Sequence, residues 1–158
     1  MIDHLFMSLA LDEARLAWLA GEIPVGAVAV CRGRVIARGR NRKEEKGLAL
    51  SHAELEVIRA ASLKLGDWRL SKVTIYVTLE PCIMCAGALL QSRVGRLVYG
   101  CSDPKGGALD SLYHLADDRR LNHSFPLRSG VFGEEAATLL QFFFRSLRKK
   151  RERLVSKN

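Results

Sequence analysis

The sequence predicts an α/β fold in which helices cover both faces of a mixed, five-stranded sheet. Three observations predict it. Short runs suited to strands alternate with longer stretches of helical period, two of the runs lie close enough in the chain to form a hairpin, and two others are separated by a whole helical stretch, which implies at least one parallel pair. With 158 residues, 48% of them hydrophobic, the chain is long enough to bury roughly two thirds of the surface its unfolded form exposes. It reads as one domain, 1–158, with a basic C-terminal helix and tail from about residue 134.

Residues 3–21 read as the first helix, because Phe6, Leu9, Ala10, Ala14, Ala17 and Gly21 recur at steps of three and four. Pro24 then opens a new element. The runs VGAVAVC and RVIARGR, with Arg32 and Gly33 between them, suit two strands of a hairpin. KEEKGLAL is polar with one glycine and reads as a loop. The next helix starts near Ser51, and KVTIYVTLE, rich in β-branched residues, follows as the third strand. Pro81 is acceptable at a first helical position and pushes Glu80 into an extended shape. The helix it opens, CIMCAGALLQS, is apolar almost all round and should be buried or pressed against another surface. RLVYG gives a fourth strand and SDPKGGALDS a loop. SFPLRSGVF gives a fifth strand, expected at an edge because of Pro126. A long helix from about Glu134 closes an expected order α-β-β-α-β-α-β-α-β-α.

No apolar run reaches the ~18 residues of a membrane span, and the N-terminal MIDHLFMSLALDEARLA mixes acids into its apolar pattern, unlike a signal peptide. A cytoplasmic protein with no membrane partner is expected. In that compartment the four cysteines should be reduced, metal-bound or catalytic rather than a disulfide framework. The net charge of +8 favours an anionic partner. Arg145 to Asn158 holds seven bases against one acid, so six of the eight net charges lie there.

The stretch LSHAELEVIRAA, residues 50–61, admits two readings. Ser51 and Glu54 fit an S-x-x-E capping box, in which each side chain satisfies the other's backbone N–H. Alternatively, His52 binds a metal and Glu54 moves protons. TLEPCIMCAGA supplies the further ligands the second reading needs, because Cys82 and Cys85 lie three apart and share one face at the start of a helix. That end of a helix favours the thiolate, the form that binds zinc. Three protein ligands, His52, Cys82 and Cys85, would leave one position of a tetrahedral zinc open, the mark of a catalytic site. Glu54 would then take a proton from zinc-bound water and pass it to the departing group. H-x-E…P-C-x-x-C is the signature of the zinc nucleobase deaminases.

Other readings of the same residues stand beside this one. C-x-x-C opening a helix after a strand is also the place of a thioredoxin-like redox pair, although dithiol exchange has no use for H-x-E. Cys31 or Cys101 could complete a structural zinc, although such sites usually supply cysteines in two close pairs. A capping box plus two core cysteines would need no metal.

With those motifs in place, the chain resembles the bacterial tRNA-specific adenosine deaminases, which convert the wobble adenosine of an anticodon to inosine. Beyond HAE and EPCIMCAGALLQSRVGRLVYG, the resemblance includes EIPVGAVAV, GRN at Gly39–Asn41, DPKGGALDS from Asp103, LNH at Leu121–His123 and FFR at Phe143–Arg145. It implies the cytidine-deaminase-like three-layer α/β/α sandwich, a homodimer, and one zinc per subunit on His52, Cys82 and Cys85 with Glu54 as proton shuttle. Zinc-activated hydroxide would attack adenine C6 and ammonia would leave. Asn41 resembles the family's asparagine that bonds the purine ring, and its alternative is a turn residue after a strand. Asp103, Lys105, Asn122, His123, Phe144, Arg145 and Arg148 stand where relatives hold the anticodon stem-loop of the tRNA, the expected partner. Two departures are visible: LALS precedes His52 where the family commonly shows Asp-Pro-Thr-Ala, and Asp110 stands where relatives often have glycine. A deaminase of free guanine or cytosine, and a non-catalytic zinc-stabilised RNA-binding module, are the competing functions.

Overall fold

A computed structural model describes residues 1–156. Helix α1 (Ile2–Leu19) buries Phe6, Met7, Ala10, Leu11, Ala14 and Ala17, the face its period selects. Strands β1 (Gly26–Cys31) and β2 (Arg34–Arg40) form the expected antiparallel hairpin. Arg32 and Gly33 both take positive φ at its turn, the arrangement whose twist suits a two-residue hairpin. After them come a single helical turn α2 (Lys43–Lys46), helix α3 (Ala53–Leu65), strand β3 (Val73–Leu79), helix α4 (Ile83–Gln91), strand β4 (Arg96–Cys101), the two-residue strand β5 (Leu127–Arg128) and helix α5 (Gly133–Val155).

The sheet order is β2-β1-β3-β4-β5, antiparallel on the β2 side and parallel from β3 to β5. Alternation along the strands serves two cores. Ala27, Ala29, Val73, Ile75, Val77, Leu97 and Tyr99 face Ala53, Val57 and Ala61 of α3 and Ala86 and Leu89 of α4. Val28, Val30, Tyr76 and Val98 face Phe6, Met7 and Ala10 of α1. Because both faces are covered, the inner strands β1, β3 and β4 are mostly apolar and buried along their length. The packing of α1 on β1 is so close that a Cβ at Gly26 would run into the backbone of Ala10 and Ala14. Helix α5 lies on the α1 side: Trp18 meets Phe143 edge-on at 5.8 Å.

One network crosses that layer. Asp3, buried at the start of α1, accepts two bonds of 2.9 Å from the Arg96 guanidinium, one of 2.5 Å from Arg128 and one of 2.9 Å from the Tyr76 hydroxyl. It ties α1 to β3, β4 and β5.

Four expectations differ from the structure. The segment read as a loop from Lys43 contains α2, ended by Gly47 in the left-handed conformation, and four polar residues carry no apolar period to reveal it. The extra helix implied between the fourth and fifth strands is absent, since 102–126 is a run of turns. The fifth strand shrinks to β5, an edge as expected, with Pro126 contributing a carbonyl to Leu97 N–H at 3.0 Å. The capping box does not form. His52, not Ser51, caps α3, and no side chain bonds the cap; the helix starts one residue later than Ser51 and Glu54 would require for reciprocal bonds.

Candidate active site

Two strand-to-helix corners meet at one point. His52 is the N-cap of α3 and Cys82 the N-cap of α4, both with extended backbone, so both sit where unpaired helix N–H groups concentrate partial positive charge. Cys85 follows in the first turn of α4 and is fully buried. His52 Nδ1 lies 3.7 Å from Cys82 Sγ and 3.6 Å from Cys85 Sγ. The three donor atoms lie within 4.8 Å of one another and could hold a metal ion. Cys31 and Cys101, at the ends of β1 and β4, lie outside this group. The Cys85 thiol, with His52 assisting, lowers Cys82 to about 4. Cys82 in turn raises His52, and it raises Cys85 together with burial. Glu54, 4% exposed, is pushed up to about 7 by burial.

His52, Glu54 and Cys82 line a cavity of about 170 Å³ together with Ile23, Val25, Asn41, Lys43, Leu79, Glu80 and Asp103, and Cys85 lies buried behind Cys82 and His52. Asn41 is held by its own N–H on the Val25 carbonyl at 3.0 Å and by Nδ2 on the Ile23 carbonyl at 3.4 Å. Its Oδ1 is buried and has no partner among the described residues. An acceptor left in that state in a cavity wall has its bonding capacity available to a ligand. A groove lined by Asp103, Lys105, Phe144, Arg145 and Arg148 adjoins the cavity through the shared residues Ile23, Leu79 and Asp103. Nine of the twelve expected site residues thus line one cavity and its groove, and Cys85 joins them through the metal-ligating group. Asn122 and His123 do not. Asn122 is exposed, and His123 sits with Nε2 3.0 Å from the Val94 carbonyl and its ring beside Phe125.

Sequence reasoning missed two carboxylates that shape this site. Glu80, 1% exposed, accepts from the N–H groups of Asp103, Leu109, Asp110 and Ser111 at 2.8–3.2 Å and from the Ser111 hydroxyl. It folds the 103–111 loop onto the cavity, and a Cβ at Gly107 would collide with its carboxylate. An acid closing an otherwise apolar strand just before Pro81 is the sequence feature that could have revealed it. Glu22, equally buried, accepts the Glu45 N–H at 2.7 Å through Oε1 and so holds α2, which brings Lys43 to the cavity. The departure at Asp110 has a local partner: the Tyr99 hydroxyl donates to its Oδ2 at 2.5 Å. In the departure at 48–51, Leu48 and Leu50 are exposed while the Ser51 carbonyl accepts the Arg42 N–H at 2.9 Å.

A family model described as MafB19-like deaminase matches residues 2–148. The chain is 48% identical over 150 residues to the tRNA-specific adenosine deaminase of Bacillus subtilis (strain 168), covering 95% of this chain and 93% of that protein. This chain belongs to the tRNA-specific adenosine deaminase family. The family member from Agrobacterium fabrum (strain C58 / ATCC 33970) is also 48% identical, across 90% of this chain and 94% of its own. Among solved structures, one from a study of A-to-I editing by tRNA:A34 deaminases superposes with a TM-score of 0.83 at 47% identity, covering 85% of this chain and 98% of the other. A guanine deaminase from Nitrosomonas europaea, 23% identical with a TM-score of 0.78 across 89% of this chain and 83% of its own, shares the fold. The sequence-based expectations of family and of a cytidine-deaminase-like α/β sandwich agree with these comparisons.

Proposed function

We infer that the chain hydrolyses the wobble adenosine of a tRNA anticodon loop to inosine, taking up water at adenine C6 and releasing ammonia. The observation that carries this reading is the His52, Cys82 and Cys85 donor group at a cavity whose wall holds His52 and Cys82 together with Asn41 and Glu54, in a chain whose relatives are named for that reaction.

The donor set fits zinc. Bond lengths of 2.0–2.1 Å to imidazole and 2.3 Å to thiolate in a tetrahedron place nitrogen and sulfur about 3.6 Å apart, and the two His52–cysteine separations are 3.7 and 3.6 Å. One zinc per subunit, held by these three residues, would supply a Lewis acid that lowers the pKa of water to near neutrality. The low pKa of Cys82 favours the ligating thiolate. Glu54 sits buried, with a carboxyl poised to accept a proton near neutral pH and return it to the leaving nitrogen. Asn41 offers Oδ1 as an acceptor, which on adenine suits the exocyclic amino group. Asp103, Lys105, Phe144, Arg145 and Arg148 form the adjoining groove, suited to splayed bases and phosphates of a single-stranded loop. Asn122 and His123, off the groove in one subunit, belong to this reading only as contacts to RNA farther from the reacting base.

A homodimer accompanies this reading. Helix α4 leaves Ile83 58% exposed and Met84, Gly87 and Ala88 half-buried, an apolar strip suited to an isologous contact. Sedimentation showing only monomer at micromolar concentration with full activity would remove the dimer. Among the described residues no helix is long and apolar enough to cross a membrane, and the tRNA reading supports a cytoplasmic location. The deciding assay incubates the protein with an anticodon stem-loop carrying the wobble adenosine and, separately, with free guanine, cytosine and adenine. Inosine in RNA with one equivalent of ammonia is expected. Ammonia from a free base alone would make this a nucleobase deaminase, and no turnover with RNA bound would make it a binding module.

A further inference from the structure

The end of the sheet away from the cavity carries a basic surface that the reaction does not use. Cys31 pairs with Arg34 on one side and with Val73 on the other, so the hairpin turn at Arg32 and the start of β3 at Lys72 come together. They bound a groove of about 780 Å³ with Asp67 and Arg69. Four bases thus face one acid. Among the described residues Arg32, Arg34 and Lys72 have no carboxylate within salt-bridge distance, whereas Asp67 Oδ1 accepts the Arg69 backbone N–H at 3.0 Å and lies 3.9 Å from the Arg69 guanidinium. Beside them Trp68 is 52% exposed, with the Arg69 guanidinium 4.2 Å from its ring centroid.

Three unpaired cations beside an exposed aromatic residue match the chemistry of nucleic-acid backbones and unstacked bases. Lys72 precedes β3 and Glu80 follows it, so the eight steps between them, at about 3.3 Å each, put this surface roughly 25 Å from the cavity. A nucleotide seated in the cavity leaves its flanking helix within that reach, since a duplex rises only about 3 Å per base step. A surface needed only to keep the edge strand soluble would not require an exposed tryptophan.

We propose that this far surface is a second RNA-binding site, which holds tRNA phosphates outside the anticodon loop. The proposal rests on the tRNA reading above. It gives the enzyme two separated contacts with one tRNA, so affinity for the whole molecule exceeds affinity for the loop.

The test is a variant carrying Arg32→Asn, Arg34→Gln, Arg69→Gln and Lys72→Gln; Asn tolerates the positive φ of Arg32, and all four side chains are exposed. Affinity for intact tRNA and for a single-stranded loop oligonucleotide is measured across a salt series, with inosine formation under saturating substrate. The variant should bind intact tRNA on the order of tenfold more weakly, with each lost contact flattening the plot of log K against log salt by about 0.7–0.9. Loop binding and kcat should stay unchanged. Intact-tRNA affinity and slope equal to wild type, or an equal loss on both RNAs, would overturn it. Failure of the tRNA reading itself is distinguishable, because wild type would then form no inosine in either RNA.

Discussion

Substituting Glu54 by Gln keeps the size of a buried side chain and removes its proton site. The start of α3 makes this a clean experiment: with His52 as the N-cap, Glu54 contributes no capping bond, so the substitution has no helix end to weaken. Glu54→Gln is expected to keep its melting temperature and one zinc per chain, while kcat for inosine formation falls at least ~10²-fold. Turnover within a few-fold of wild type would remove Glu54 from proton transfer. His52→Ala and Cys82→Ala differ in kind, since each deletes a donor. Both should lose zinc by elemental analysis together with activity. At this scale the site was largely legible. His52, Cys82 and Cys85 were readable because their types and spacing suit one metal, and the fold brings the three donors together with Glu54 beside them. Glu80 and Glu22 were not, because a carboxylate that organises backbone N–H groups has no spacing rule. Its partners at 103–111 and at Glu45 come from folding, not from neighbouring sequence.

Elements were legible where periodicity was strong and hidden where tertiary contacts decide. The five strands and four longer helices follow apolar patterns, whereas α2 is polar and is fixed by Glu22, and β5 is cut short in a region of turns. Glu80 makes the consequence measurable. Glu80→Ala leaves the N–H groups of Leu109, Asp110 and Ser111 without their acceptor and should cost about 2 kcal/mol in urea unfolding. With the loop that carries Asp103 and Lys105 released, KM for RNA should rise while zinc content stays at one per chain. An unchanged KM would mean that the loop holds its shape without Glu80. The Asp3 network tests how α1 is fastened. Its arginines and tyrosine hold the Asp3 carboxyl well below the ordinary 3.8. A group depressed in the fold contributes stability above its unfolded pKa and loses it as pH falls through the folded value. Asp3→Asn should therefore lower stability by about 1–3 kcal/mol at neutral pH, the lower end applying because both arginines are partly exposed. It should also flatten the decline in stability below about pH 4. Identical acid unfolding of wild type and variant would show that the network contributes nothing net.

For the whole molecule the basic excess at the C-terminus becomes directional once the helix is placed. Composition alone treats Arg145, Arg148, Lys149, Lys150, Arg151, Arg153 and Lys157 as one tail; Lys157 lies outside the described residues. Helix α5 divides the others. Phe143 turns inward against Trp18, while Ala137, Gln141, Phe144, Arg145 and Arg148 recur at helical steps along the groove beside the cavity. Lys149 and Lys150 fall off that stripe. If RNA lies in the groove, charge on the stripe should matter more than charge beside it, although the net change is the same. Arg145→Ala with Arg148→Ala is expected to raise KM for the anticodon stem-loop and to reduce the salt slope of binding by about 0.7 per contact, or roughly 1.4 for the pair. Lys149→Ala with Lys150→Ala should change either quantity by less than half as much, and neither pair should alter zinc content or kcat. The comparison holds total charge constant between the two variants, so a general electrostatic attraction would weaken both equally. Equal losses would therefore mean that α5 acts only through its field, and that the loop is positioned by Asn41, Lys43 and the 103–111 segment alone.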